Sequence, residues 1–392
     1  MGAATAGRTM TGAGAGVAGG GPPEESRAAL IALARRAGYA RVEPAILQPA
    51  EPFLELSGED LRRRMFTTQD ESGAELCLRP EYTIPVCRDH LAAGGTEAAY
   101  CYLGPVFRQR ADAPGEFLQA GLESLGRADG PAADAEILGL ALEGVAVLGG
   151  EQAPVPTVRL GDVGLLAALL DALDVAPAIR RRCLRAIAAG RGLDGIDGPA
   201  RTESAYAGLT GAIGGQAPGA ARAFVEDVLQ IAGIRSVGGR SAGEIAERFL
   251  ARAAAREVGQ GLPAEARSVI ERYLAVAGDP DAAAAAMRIL AADANLRHPA
   301  LMAALDGLEE RTGFMAARSL AVETFRFQGG FARNLDYYTG FIFELVDTAR
   351  PDGRPLAGGG RYDRLLQALG APAPVPAVGC AFWPERIFGA AS

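Results

Sequence analysis

Two neighbouring stretches decide the fold: AAYCYLGPVFRQR, residues 98–110, and EFLQAGLESLG, residues 116–126. Both mix aromatic, branched and small residues, and both are punctuated by glycine, proline or charge, which is how strands read. Upstream, FTTQD (66–70) and ELCLRPEYT (75–83) have the same character. Residues 66–117 therefore read as successive strands and turns of an antiparallel sheet. Side chains alternate along a strand, so Gln119 and Glu123 are expected to share one face. Ile84–Leu91 reads as a helix following the LRPE turn, and Ala132–Val147 as a longer helix of Ala, Leu and Ile.

Working outward, Pro22 and Pro23 open a helix from Glu24 to Ala37, with acids in its first turn and Gly38 as its stop. VEPAILQP (42–49) reads as a short apolar strand. Its Pro44 cannot donate to a ladder, so the strand is expected at an edge or an interface. Residues 160–315 are rich in Ala and Arg and carry repeated helical periods. Ser241 and Glu244 have capping-box spacing ahead of Ile245, Phe249 and Ala253, and Pro263–Val276 places Ile270, Tyr273, Leu274 and Ala277 on one side. Strand character returns over Gly329–Asp347, where FIFELV is a buried strand. AGGGRYD (357–363) reads as a glycine-rich turn opening a helix at Arg364–Leu369, and PAVGCAFWPERI (376–387) as a strand feeding a short helix. Sheet, helical stretch and sheet again imply an α+β fold interrupted by a helical insertion. The expected organisation is a flexible tail (1–21), a first core segment (22–159), the insertion (160–315) and a second core segment (316–392).

Composition narrows the function. The chain has 392 residues, 49% hydrophobic and 22% charged, which suits a globular protein with a large core. No lysine occurs, so all 39 fixed cations are arginine and no single arginine is chemically conspicuous. A formal charge of −8 argues against a nucleic-acid surface, which normally needs a basic stripe. Cys77, Cys87, Cys101, Cys183 and Cys380 form no CxxC pair, and His90 and His298 are the only histidines. A zinc site, a disulfide framework and a His-based triad are therefore unsupported, and no metal or cofactor is expected. No apolar run reaches membrane-spanning length, and reduced thiols fit the cytoplasm.

In their order, the motifs resemble the histidyl-tRNA synthetase family of class II synthetases. LRPEYT resembles its LRPEGT turn, YLGPVFRQR its motif 2 and EFLQAGLESLG the strand after it. ARNLDYYTG and AGGGRYD resemble two histidine-specific signatures, and PAVGCAFWPERI resembles motif 3. Each is weak alone, but six in sequence compound. The resemblance implies a class II antiparallel sheet flanked by helices. It implies that Glu81, Thr83 and Gln119 hold an amino acid's α-ammonium, whose donors need oxygen acceptors. It places Glu123 and Tyr338, with Tyr337 beside them, against an imidazole, one nitrogen of which donates and the other accepts. Arg108 and Arg386 match the arginines that grip ATP phosphates, and Arg333 matches the additional arginine of the histidine-specific group. Read without the family, Glu81 is a helix N-terminal carboxylate, Glu123 a strand residue, Tyr337 and Tyr338 one core and one surface ring, and each arginine a solvated one.

Two departures redirect this reading. Synthetases place a carboxylate two residues after the motif 2 arginine to accept from adenine, whereas this chain has Arg110, which offers no acceptor. Losing such a charged bond costs roughly 1.5–3 kcal/mol. The chain also stops soon after Arg386, so an anticodon-binding domain is expected to be absent and tRNA is not an expected partner. A histidine pocket with weakened ATP and tRNA contacts resembles the family of ATP phosphoribosyltransferase regulatory subunits. That resemblance implies a non-catalytic subunit that activates a short-form catalytic partner, carries feedback inhibition by L-histidine, and pairs with itself through the motif 1-like strand near Pro44. The alternative is a truncated but active histidine-activating, adenylate-forming ligase, kept open by Arg108, Arg333 and Arg386.

Overall fold

A computed structural model describes residues 22–111, 113–194, 196, 227, 236–237, 240–241, 262–333, 337–350 and 353–389. The chain divides into two compact units. Residues 1–159, 311–325 and 335–392 form the first, and residues 160–310 and 326–334 the second.

In chain order the first unit opens with α1 (Glu24–Arg36), β1 (Ala40–Arg41), β2 (Leu47–Pro49), α2 (Glu51–Leu56) and α3 (Glu59–Arg63). It continues through β3 (Thr67–Gln69), β4 (Glu75–Leu78), α4 (Thr83–Ala92), β5 (Ala98–Phe107), β6 (Glu116–Leu125) and α5 (Gly130–Gly149) to the start of β7 (Thr157–Asp162). The second unit contains α6 (Val163–Ala172), α7 (Pro177–Ala188), β8 (Ser236–Val237), β9 (Arg240–Ser241), α8 (Ala264–Leu274), β10 (Ala277–Gly278), α9 (Pro280–Asp293), most of α10 (Pro299–Ala317) and β11 (Arg326–Gln328). The first unit is completed by β12 (Phe341–Val346), β13 (Pro355–Arg361), α11 (Leu365–Ala368), β14 (Ala377–Phe382) and α12 (Pro384–Gly389).

The first unit's main sheet runs β1-β5-β6-β14-β13-β12. Its pairings are antiparallel except that β1 lies parallel to β5. β5 and β6 are the ladder expected from their sequence, with Tyr102 opposite Gly121 and Gly104 opposite Gln119. α1 carries acids in its first turn and arginines in its last, complementing the helix dipole, and it packs with α5. Gly144 brings α5 close to the sheet, since a Cβ there would lie 2.6 Å from the Phe382 ring. Phe382 pairs with Ala120, so Gln119, Gly121 and Glu123 project from the opposite face. That face is where the candidate site lies. β2, β4 and β3 form a separate three-stranded sheet.

The second unit caps its helices with aspartates. Asp162 accepts from the Gly164 and Leu165 amides, and Asp279 from Ala282. Ile270 and Tyr273 are buried, as the helical period of α8 requires, and the Tyr273 hydroxyl donates to the Asp162 carbonyl at 3.3 Å.

Several local expectations are corrected. AGGGR is not a turn but the strand β13, buried between β12 and β14. Its glycines serve close sheet packing: a Cβ on Gly359 would stand 2.1 Å from the Gly379 carbonyl oxygen. VEPAILQP contributes only Leu47–Pro49 as a strand, at the edge of the small sheet. Residues 329–333 and 337–340 are outside any strand, and Ala277 belongs to β10 rather than to the helix before it. Ser241 ends β9, while Glu244, Ile245, Phe249 and Ala253 lie outside the described residues, as does the 1–21 segment.

Candidate functional site

The site is built around Glu123 on β6, whose side chain is buried. Thr83, at the start of α4, donates its hydroxyl to Glu123 Oε1 at 2.7 Å. Tyr102, on the adjacent β5, donates to the same oxygen at 3.2 Å. Tyr362, just after β13, donates to Oε2. Space for the carboxylate comes from Gly379 on β14, opposite Glu123: a Cβ there would fall 1.8 Å from Oε2. Glu81 sits beside this group. Its carboxylate accepts from the Thr83 amide at 2.6 Å and the Ile84 amide at 2.9 Å, which makes it the N-terminal carboxylate of α4. Thr83 thus joins Glu81 through its backbone to Glu123 through its side chain.

Two buried carboxylates this close hold their protons strongly. Burial pushes Glu123 up to about 8, against the pull of its Tyr362 and Thr83 hydrogen bonds, and the Glu81 charge pushes the same way as burial. Burial likewise raises Glu81, opposed by the Ile84 and Thr83 amides and by Arg108.

Gln119 lies on the same face of β6 as Glu123, with Gly121 between them. Its side-chain oxygen is buried and accepts no hydrogen bond. The Trp383 indole N–H, just beyond β14, is a buried donor without a partner. Groups of this kind normally find partners in a folded protein.

The tyrosine pair follows β11 in sequence. Tyr337 is buried and Tyr338 half-buried, with ring centroids 5.2 Å apart. Tyr337 also meets the Tyr362 ring edge-on at 5.8 Å. The rings therefore form a chain from Tyr338 through Tyr337 to Tyr362, which is the phenol bonded to Glu123.

The arginines divide by environment. Arg108 is half-buried, donates through Nε to the Pro80 carbonyl at 2.7 Å, and lies near the Glu81 charge. Burial draws it down to about 10, so it remains a cation at neutral pH. Arg110 folds back on its own hairpin, over the Phe117 ring at 4.2 Å and onto the Pro114 carbonyl at 2.8 Å. Arg386 lies over the Trp383 ring at 4.6 Å and donates to the Pro355 carbonyl at 2.8 Å. Arg333 is half-buried in the second unit, after β11. Among the described residues no group of His, Cys, Asp or Glu could hold a metal ion.

Sequence reasoning missed the groups that hold this centre in place. Tyr102 and Tyr362 are in quoted motifs, YLGP and RYD, but nothing local aims them at Glu123. Tyr102 stacks on Tyr82 at 4.2 Å, and Arg79 lies over Tyr82 at 4.1 Å while donating to the Pro105 carbonyl at 2.9 Å. Arg361, from the same RYD stretch, belongs to a buried ion cluster. It donates to Asp134 at 2.6 Å, and Arg311 takes the other Asp134 oxygen at 2.8 Å.

Comparison with known proteins places this arrangement. The family model described as histidyl-tRNA synthetase matches residues 23–216 and 220–387. An ATP phosphoribosyltransferase regulatory subunit of Mesorhizobium japonicum is 41% identical over 363 residues, covering 88% of this chain and 92% of that protein. One from Brucella canis is 40% identical over 352 residues, with the same coverage. A crystal structure described as an ATP phosphoribosyltransferase regulatory subunit/histidyl-tRNA synthetase from Bacillus halodurans aligns with TM-score 0.65 at 21% identity, over 94% of this chain and 78% of that one. A histidine–tRNA ligase subunit from Alicyclobacillus acidocaldarius aligns with TM-score 0.54 at 25% identity, over 98% of each chain. With a synthetase-type sheet, a buried Glu123 centre and relatives of this kind along nearly its whole length, the chain belongs to the family of ATP phosphoribosyltransferase regulatory subunits, on the histidyl-tRNA synthetase fold.

Proposed function

We propose that this chain is the non-catalytic regulatory subunit of a short-form ATP phosphoribosyltransferase, working in the cytoplasm, where it activates the catalytic subunit and carries feedback inhibition by L-histidine. The family assignment supports the subunit role. The single observation that supports the effector site is the set of buried acceptors on one face. The Glu123 carboxylate and the partnerless Gln119 oxygen are matched to a ligand that presents nitrogen donors. Glu81, Thr83 and Gln119 would take the α-ammonium, Arg108 the carboxylate, and Glu123 the ring, with Tyr337 and Tyr338 alongside. Arg110, engaged with Phe117 and Pro114, offers adenine no acceptor, which supports regulation over adenylate formation.

Regulation requires that histidine bind two states of the complex unequally, and the coupling is reciprocal: substrate on the catalytic partner must change histidine affinity here by the same factor. Self-association would use the edge at Leu47–Pro49, where Ile46 and Leu47 are exposed. The test is co-purification with a short-form phosphoribosyltransferase, followed by assay with and without L-histidine. The expected result is an active complex inhibited by histidine, with no histidine-dependent ATP–pyrophosphate exchange by this chain alone. Exchange activity, or a complex indifferent to histidine, would overturn the proposal.

A further inference from the structure

The only tryptophan of the chain lies on the face of the sheet that carries the candidate site. Trp383 follows β14, and its amide donates to the Leu356 carbonyl at 2.9 Å, so strand pairing carries on through it. Phe382 before it points towards α5, where Gly144 makes room. By alternation Trp383 turns to the opposite face, that of Gln119 and Glu123. Its indole packs there with Tyr82, Val86, Tyr102, Val106 and Phe117. A buried indole normally places its N–H on an acceptor, but this one has none, so the ring is held by its faces.

Cations crowd the same rings. Arg386 lies over the Trp383 ring at 4.6 Å, and Arg110 and Arg108 lie over Phe117 at 4.2 and 5.5 Å. Backbone carbonyls hold all three: Pro355 for Arg386, Pro114 for Arg110 and Pro80 for Arg108. Carboxylates close by are engaged with amides, Glu385 with Leu118 at 3.2 Å and Glu81 with the head of α4. In a chain of formal charge −8, three guanidiniums over two aromatic rings make a local surface suited to a flat anion. Planar rings stack on such groups, and guanidinium forks match phosphates. A purine nucleotide presents both. Indole and purine are fused bicycles of the same footprint, so the Trp383 ring stands where a purine base would stack.

We propose that Trp383 is a specificity-determining residue: its indole fills the base position beside Arg386 and Phe117, and so bars purine nucleotides from this arginine cluster. The chain supplies its own occupant, tethered by the backbone and therefore present at an effective concentration that a free nucleotide must beat. The use of such a bar rests on the regulatory reading above. A subunit serving an ATP-consuming enzyme would then answer to its effector at any ATP level. The exclusion itself belongs to this chain alone and is tested without a partner.

The experiment titrates full-length wild type and Trp383→Ala with ATP, with adenosine and with inorganic triphosphate by calorimetry, after circular dichroism shows that each protein is folded. Wild type is expected to bind none of the three at millimolar concentration, and its Trp383 fluorescence should not respond to ATP. Trp383→Ala should bind ATP, and more tightly than adenosine or triphosphate by roughly tenfold or more, the contribution of one charge-assisted hydrogen bond or ring stack. Free indole, which refills the vacated place, should displace ATP from the variant. Wild type that binds ATP as tightly as the variant would overturn the exclusion. A folded Trp383→Ala that gains no ATP binding, takes adenosine and ATP equally, or holds ATP against indole would overturn it as well, since the vacated space would then be a plain cavity or not the nucleotide's place. If Trp383→Ala does not fold, Trp383→Leu decides by the same comparison. A reconstituted complex that fails to assemble or to respond to histidine overturns the regulatory reading and leaves these titrations to stand or fall separately.

Discussion

Replacing Glu123 by glutamine tests the physical basis of the site without a ligand. Glu123 rises from an ordinary glutamate value of 4.5 to about 8 because it is buried. Below 4.5 the carboxyl is protonated in both folded and unfolded chains, so it contributes no pH dependence. Between 4.5 and 8 the unfolded chain releases the proton and the folded chain keeps it, so stability falls as pH rises through this window. Above about 8 both forms are ionised and the full cost remains. At about 1.4 kcal/mol for each tenfold change in proton affinity, that cost is at most about 4–5 kcal/mol. Glutamine removes the ionisation but keeps an oxygen for Thr83 and Tyr102, while its amide can donate to a reoriented Tyr362. Glu123→Gln should therefore gain about 2–4 kcal/mol on wild type between pH 5 and pH 8.5, and then run parallel to it. Trp383 is the only tryptophan and packs with Tyr82, Tyr102, Val106 and Phe117, so its fluorescence in urea titrations follows the unit that contains the site. A stability difference between the two proteins that stays flat from pH 5 to pH 8.5 would refute the reasoning, whatever its size.

Other expectations follow from the same contacts. Gly379→Ala would put a methyl 1.8 Å from Glu123 Oε2 and 2.7 Å from the Leu122 carbonyl. It should lower stability by about 1–3 kcal/mol by overpacking and abolish histidine-dependent inhibition of the reconstituted complex, measured together by denaturation and assay. Gln119→Leu removes a buried oxygen that has no partner, so the free protein should be as stable or up to about 1–3 kcal/mol more stable while histidine affinity drops at least tenfold in calorimetry. Asp134→Ala removes a carboxylate shared by Arg311 and Arg361, of which Arg361 keeps Asp363, and urea unfolding followed at Trp383 should show a loss of about 1–3 kcal/mol. Arg110→Ala should leave histidine-dependent inhibition within threefold of wild type, because its guanidinium is spent on Phe117 and Pro114; a larger change in the inhibition curve would place it in the effector site.

Much of the fold is legible in the chain itself because it depends on local periodicity and punctuation. Apolar runs bounded by Gly and Pro mark β5, β6, β12 and β14, and acid-first, arginine-last patterning marks α1. Glu81 as the carboxylate at the head of α4 follows from its position next to Thr83 and Ile84. The same reasoning failed at AGGGR. Three consecutive glycines have no local preference for a strand, and only the nearness of the β14 backbone, where a Cβ on Gly359 would collide, explains why they must form one. The shared face of Gln119 and Glu123 likewise follows from strand alternation alone. Which hydroxyls reach Glu123 does not: Tyr102 and Tyr362 are 21 and 239 positions away, and sheet order brings them there. Local sequence thus determined the elements and the acidic residues on offer, through conformational preferences that act over a few residues. The tertiary structure alone decided that Glu123 is buried, triply hydrogen-bonded and slow to ionise, because burial and bond partners are properties of the space around a side chain and not of its neighbours along the chain.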